Sequence, residues 1–249
     1  MEGPYTFDAD DPIPLTGERT APGIPEENYW FQRHVVAYRF AADVVRGRRV
    51  LDAGCGEGYG TAMLAETARK AFGIDIDRNV VGRAGGLYPR AQFEPADLMD
   101  IPFPRGSFGA VVSLQVIEHL PSPADFVAGC ARVLEPDGVF VISTPNRLTF
   151  SPDGIRNPFH TFEFSPTDLR ATLEPHFRRV DLLGTFHGLR LRALDLGLRT
   201  PFPERLIAQP VPEWPGWLRR TVERVTPEDF AIRSTRLERS LDLIAIARV

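Results

Sequence analysis

VLDAGCGEGYG, residues Val50 to Gly60, reads as a buried strand that turns sharply into a helix. Two apolar residues and an acid are followed by glycines at the alternate positions 54, 56 and 58. Glycine reaches backbone dihedrals that other residues avoid, and it carries no Cβ to hold a ligand off the main chain. A dinucleotide-binding turn requires G-x-G-x-x-G, with helix N-terminal amides open to a pyrophosphate. After Gly54 and Gly56 the third glycine of that pattern falls at position 59, where Tyr59 stands. What distinguishes this loop instead is Asp52, two residues before the first glycine. A carboxylate there repels phosphate and suits a cationic ligand.

Two further acids follow at telling intervals. AFGIDID (Ala71 to Asp77) reads as a second short apolar strand ending in Asp75, 21 residues after Gly54. An acid at the tip of a neighbouring strand accepts hydrogen bonds from two ribose hydroxyls. Asp97 comes next, in Ala96-Asp97-Leu98, just ahead of Ile101-Pro102-Phe103. In these three acids and the glycine loop the chain resembles the class I S-adenosylmethionine-dependent methyltransferases. The resemblance implies that Gly54, Gly56 and Gly58 hold the methionine part of that cofactor, with Asp52 near its ammonium group. It implies Asp75 at the ribose, Ile76 against an adenine face, and Asp97 with Leu98 at the adenine amino group. Gln115 joins the cofactor-binding set, and an N-terminal arm folded over the cofactor makes Tyr29 and Arg33 candidates for its carboxylate end.

Strands alternate with helices along the chain, the pattern of a doubly wound α/β sheet. The expected architecture is Rossmann-like: a seven-stranded, mostly parallel sheet in one domain, with an N-terminal helical arm and a helical cover inserted before the last strand. The arm and first helix take 1–46, the cofactor-binding core 47–188, the substrate cover 189–238 and the last strand 239–249. Strands are expected at 48–53, 71–76, 91–94, 109–114, 139–143, 177–186 and 241–247, and helices at 26–46, 60–69, 78–87 and 123–134. Strand four is continuously apolar, as a strand buried on both faces should be. Phe126, Val127, Cys130 and Val133 recur at helical spacing, which puts Cys130 in the core. Ser165 with Pro166 behind it marks a helix start, serine at the N-cap and proline in the first helical position.

A single core of 249 residues buries about 75% of its unfolded surface. The net charge of −4 argues against a nucleic-acid footprint over the whole molecule. Two cysteines, Cys55 and Cys130, have neither a disulfide pattern nor metal-site spacing. The acidic, proline-bearing N-terminus has no apolar signal core, and no run of about 20 apolar residues occurs. The expectation is a cytoplasmic protein without a membrane span.

Ligands of open α/β sheets bind beyond the carboxyl ends of the strands. The residues there are Gln115-Val-Ile-Glu118-His119-Leu120 after strand four and Thr144-Pro145-Asn146-Arg147 after strand five. Moving a methyl group from a sulfonium to a hydroxyl requires oxygen, carbon and sulfur in line, and a base that takes the hydroxyl proton. His119, beside Glu118, is the first candidate for that base, and His160 in Asn157-Pro-Phe-His160 the second. His34, His176 and His187 read as structural or peripheral. The strand-four end is also similar to ubiquinone-biosynthesis O-methyltransferases, whose E-x-x-E-H implies a divalent cation such as magnesium. Here Gln115 replaces the first glutamate, which weakens a site for a hard cation.

Segments spread over almost the whole chain look like actinobacterial methyltransferases linked to methylated polysaccharide assembly, in particular methylglucose lipopolysaccharide. They include Pro14 to Thr20, Glu27 to Phe31, Ser143 to Arg147, Thr149 to Pro152, Asn157 to Thr161 and Ser240 to Ala247. That resemblance implies a carbohydrate acceptor, a sugar hydroxyl of a glycan or glycolipid precursor. Tyr29, Trp30, Phe31, Trp214 and Trp217 either offer flat faces to sugar rings or serve as packing. Two other readings stay open: a small aromatic or natural-product hydroxyl as acceptor, and a non-catalytic, cofactor-binding partner subunit.

Overall fold

A computed structural model describes residues 20, 22–152, 154, 157–198 and 214–249. The start of the expected N-terminal arm, 1–19 and 21, lies outside them, as does 199–213 of the expected cover. The described elements run in the order α1 (Asn28–Val44), β1 (Arg49–Ala53), α2 (Tyr59–Ala65), β2 (Lys70–Asp75), α3 (Arg78–Leu87) and β3 (Gln92–Pro95). They continue through β4 (Phe108–Leu114), α4 (Pro123–Val133), β5 (Leu134–Pro145), α5 (Arg147–Phe150), α6 (Pro166–Leu173) and β6 (Arg179–His187). The chain closes with α7 (Leu189–Leu198), α8 (Gly216–Glu223), β7 (Phe230–Arg233) and β8 (Asp242–Arg248).

One sheet holds eight strands in the order β3-β2-β1-β4-β5-β8-β6-β7. The first five pair in parallel, and the pairings β5–β8, β8–β6 and β6–β7 are antiparallel. The sheet is therefore mixed, with one strand more than the seven expected. The extra strand is β7, inside the segment read as cover. It has four residues and pairs only with β6 at the sheet edge. So short a piece between Pro227 and the polar run after Arg233 carries too few alternations to announce itself.

Alternation decides which side chains go where, because successive strand residues point to opposite faces. Leu51 and Ala53 of β1, Val111 of β4, Phe140 and Ile142 of β5, and Leu243, Ala245 and Ala247 of β8 meet α4 and α6 on one face. Val50, Ala110, Val112, Val139, Val141 and Ile244 meet α1 and α2 on the other. Cys130 is in the first of these cores, as its helical spacing implied. A third, smaller cluster joins Tyr29 of α1 to Leu191, Trp214, Leu218, Val222 and Phe230.

Helix starts follow local chemistry. Asp77 caps α3 by accepting the N–H groups of Asn79 and Val80, and Ser165 with Asp168 forms a capping box on α6 with proline next. Helix α2 stops at Ala65, short of the expected 69, where Thr67 hydrogen-bonds Ala42 and Gly47 and ties the chain to the end of α1. The strand order reverses between β1 and β4, so their carboxyl ends open the crevice where ligands of such sheets bind. Among the described residues no helix is long and apolar enough to cross a membrane.

Candidate active site

The turn after β1 is built on backbone that only glycine holds cheaply. Gly54 has φ +88°, and a Cβ there would lie 2.5 Å from Cγ2 of Val116. Its N–H and that of Cys55 both donate to the Ile74 carbonyl, fastening the turn to β2. Gly58 sits at φ +82° as the N-cap of α2. Gly56 is different in kind, for a Cβ there meets nothing within 4 Å, so its bare backbone faces open space. Gly54→Ala is expected to weaken cofactor binding by at least about tenfold, because left-handed strain of about 1–2 kcal/mol adds to the displacement of Val116. Calorimetry with S-adenosylhomocysteine measures this, and wild-type affinity in a folded variant would refute it.

A cleft of about 330 Å³ opens over this turn. It brings together Gly54, Gly56, Asp75, Ile76, Asp97, Leu98, Gln115 and His119, all named from the sequence. Asp75 accepts the N–H of Gly56 on one oxygen (3.0 Å) and that of Asp77 on the other (3.1 Å). It thus braces the glycine turn against the start of α3. Ile76 is 70% exposed, unusual for a large aliphatic side chain, and presents an apolar face to the cleft. Asp97 accepts the Met99 N–H on Oδ1 (2.8 Å), while its Oδ2 has no hydrogen bond among the described residues. Gln115 holds φ +57°, costly for a residue with a Cβ. Its N–H donates to the Ser143 carbonyl and its Nε2 to the Ser143 hydroxyl, each at 3.0 Å.

Several expected cofactor residues stand elsewhere. Asp52 does not edge the cleft. It is fully buried and accepts hydrogen bonds from Thr61 (2.6 Å) and Tyr38 (3.3 Å), with burial pushing its carboxyl up to about 7. It anchors α2 and α1 beneath the turn. Gly58 lies under the turn against Ala84 and Phe93. Tyr29 is enclosed in the third cluster, its hydroxyl 2.7 Å from Nε2 of His187. Arg33 makes a two-pronged ion pair with Asp242 of β8 and donates to the Leu241 carbonyl. Neither reaches the glycine-loop cleft. Tyr29 and Trp214 are also too buried to receive a sugar ring, and among the expected aromatic faces Trp217 stays 40% exposed.

The catalytic candidates converge at the rim. The loop at 157–162 is stapled to the turn after β4: Thr161 and Phe162 N–H groups donate to the Glu118 carbonyl, and the Thr161 hydroxyl to that of Leu120. This brings His160 to His119, ring centroids 5.1 Å apart. His119 Nδ1 lies 3.0 Å from the Phe159 carbonyl, which only accepts, so in the neutral ring Nδ1 carries the proton and Nε2 the lone pair. His160 Nδ1 likewise meets Glu163 at 3.1 Å, and burial lowers the pKa of this imidazole. His119 lines the cleft; His160 and Glu118 stand behind it. Each of the three offers one donor atom within 4.8 Å of the others. One carboxylate and two imidazoles suit a transition ion better than magnesium, which prefers oxygen throughout.

Glu118 is 1% exposed, its Oε2 has no hydrogen-bond partner among the described residues, and burial pushes its carboxyl up to about 8. A carboxyl whose folded pKa is raised stabilises the fold below its unfolded pKa, and that contribution is lost as pH rises toward 8. Between pH 5 and 7.5 the wild type should therefore lose about 1 kcal/mol per pH unit relative to Glu118→Gln, or about 2–4 °C in melting temperature. Parallel melting curves across that range would contradict a buried, protonated Glu118.

Val116, Leu120 and Phe159 complete the cleft lining and were not singled out from the sequence. All three adjoin residues that were, and that adjacency was the available signal. Tyr38 and Thr61 gave none. Asn146, placed by sequence at the reacting end, is wholly buried and holds the turn before β8, donating from Nδ2 to the Leu237 and Ser240 carbonyls at 2.9 Å each.

A family model described as a methyltransferase domain matches residues 51–142. A probable S-adenosylmethionine-dependent methyltransferase of Mycolicibacterium smegmatis is 45% identical over 243 residues, covering 94% of this chain and 95% of the relative. A ubiquinone biosynthesis O-methyltransferase of Methylococcus capsulatus is 36% identical over 107 residues, 41% of this chain and 45% of the relative. Among solved structures, a methyltransferase from Archaeoglobus fulgidus dependent on the same cofactor matches with a TM-score of 0.59 at 20% identity, covering 90% of this chain and 97% of the other, a likeness of fold.

Proposed function

This chain belongs to the S-adenosylmethionine-dependent methyltransferases, and from that premise we propose that it methylates a hydroxyl oxygen of a sugar in a glycan or glycolipid precursor. The observation that carries the O-methylation reading is His119. A carbonyl fixes its tautomer, and its free Nε2 belongs to a ring on the wall of the glycine-loop cleft. The residues of that cleft fit the cofactor. Gly56 leaves room for it, Ile76 offers an uncovered apolar face, and Asp97 has an oxygen to spare. Asp75 would take the ribose hydroxyls, Asp97 the adenine amino group and Ile76 the adenine face. When bound, the cofactor supplies a methyl group activated by a sulfonium. His119 accepts the proton of the acceptor hydroxyl, and His160, its pKa lowered by burial, packs behind it. Asp52 acts from below, by holding Thr61 and Tyr38 and so the shape of the turn.

The sugar acceptor is supported by the resemblance of the segments around Asn146, Phe150 and His160 to methyltransferases of methylated polysaccharide assembly. A phenolic acceptor is the second reading, favoured by the apolar rim of Val116, Leu120 and the 47%-exposed Phe159. Both are tested by incubating the protein with labelled S-adenosylmethionine and glucose or mannose oligosaccharides beside catechols, with and without magnesium or a chelator. Label on glycans, unchanged by chelator, is the expected result. Label confined to catechols would reverse the choice of acceptor, and turnover lost to chelator and restored by a divalent ion would replace the free base with a metal at Glu118, His119 and His160.

A further inference from the structure

We infer that a second cavity, behind the histidine pair, binds an anionic group, phosphate or carboxylate, carried by the sugar acceptor. The cavity measures about 480 Å³, larger than the glycine-loop cleft. It lies where the ends of β6 and β7 and the turn before β8 meet α1, α5 and α7. Among the described residues five arginines reach its wall, Arg33, Arg192, Arg233, Arg236 and Arg239, against one carboxylate, Asp195. That carboxylate is engaged by His187 Nδ1 at 2.6 Å, and Arg33 is matched by Asp242. Arg233 stands over the Phe186 ring, 5.7 Å from its centroid. Among the described residues, Arg192, Arg236 and Arg239 have no ion pair to answer their charge. On a chain whose net charge is −4, several guanidinium groups gathered in one concavity repel one another unless an anion joins them.

The backbone that carries two of the arginines is held in place. Arg236 and Arg239 bracket one 3-10 turn, closed by the Arg239 N–H on the Arg236 carbonyl at 2.9 Å, and both line the cavity. Asn146 grips that turn at Leu237 and Ser240, and the Thr149 hydroxyl donates to the Ser240 carbonyl at 2.7 Å. A pair of planar forks matches the oxygens of phosphate or carboxylate. The cavity also borders the chemistry. Its wall residue Phe150 stacks on His160 at 5.3 Å, and His160 lies 5.1 Å from His119 on the cleft side. An acceptor with its hydroxyl at His119 and its charged group among the arginines would span this pair of rings. Naming the ligand as the methyl acceptor rests on the hydroxyl-methylation reading; anion binding by the cavity does not.

Calorimetry on the full chain saturated with S-adenosylhomocysteine tests this with glucose 6-phosphate, glucuronic acid and glucose. At least one anionic sugar is expected to bind about tenfold or more tightly than glucose, and the double variant Arg236→Gln/Arg239→Gln to remove that advantage. The phosphate and carboxylate arms tell which group is preferred. Equal binding of all three sugars, or an advantage that survives in the double variant, would overturn the inference. So would a parallel loss of S-adenosylhomocysteine affinity, since the arginines would then serve the cofactor. Arg192→Gln provides an independent variant if the double change lowers the melting temperature. Absence of label transfer to any hydroxyl alongside intact anion binding would count against the acceptor reading alone.

Discussion

His119→Ala is expected to lower kcat by about 10²–10⁴-fold, the range for losing a positioned base, while S-adenosylhomocysteine binds as before. The prediction follows from geometry. Nδ1 is committed to the Phe159 carbonyl, which leaves Nε2 as the imidazole lone pair at the cleft wall. His160→Ala should cost less, because His160 stands behind His119, pinned between Glu163 and the Phe150 ring. Its removal loosens His119 without removing the proton acceptor. Single-turnover assays of both variants, with cofactor affinity measured on the same samples, separate the roles. Partial rescue of His119→Ala by added imidazole would mark a missing base. Unchanged turnover in both variants would end the assignment, and a larger loss in His160→Ala would exchange the two roles.

Asp75→Ala should weaken cofactor binding by about 100-fold or more. Each oxygen of Asp75 takes a backbone N–H, from Gly56 and from Asp77, on the wall of the cleft. The change removes the acceptors for two ribose hydroxyls and also frees the glycine turn from α3. Hydrogen bonds to a charged group contribute about 1.5–3 kcal/mol each, so two of them account for the expected loss before any loosening of the turn. Asp75→Asn, which keeps the shape but not the charge, should fall between. Calorimetric affinity for S-adenosylhomocysteine within about threefold of wild type in a folded Asp75→Ala variant would remove Asp75 from the ribose site.

Much of the glycine-loop cleft was legible in the chain because it is assembled from strand ends. Gly54, Gly56, Asp75, Ile76 and Asp97 follow directly on β1, β2 and β3, and parallel pairing in register brings such positions to one edge. Helix starts were equally legible, since Asp77 and Ser165 cap through groups two or three residues away. The four-residue β7 was not, for too few alternating residues distinguish it from a loop.

The sequence by itself determined the local part: a glycine turn with dihedrals only glycine holds cheaply, acids at the tips of successive strands, and a sheet buried on both faces. Tertiary structure decided which of those groups are open to a ligand. Asp52 looked like a cleft acid until Tyr38 and Thr61 closed over it, and Arg33 is occupied by Asp242, 209 residues along the chain. The meeting of His119 with His160 and the gathering of arginines from α1, α7, β7 and the turn before β8 likewise depend on contacts between distant segments. Backbone preference and hydrophobic period act over a few neighbouring residues, whereas burial and ion pairing are properties of the packed whole.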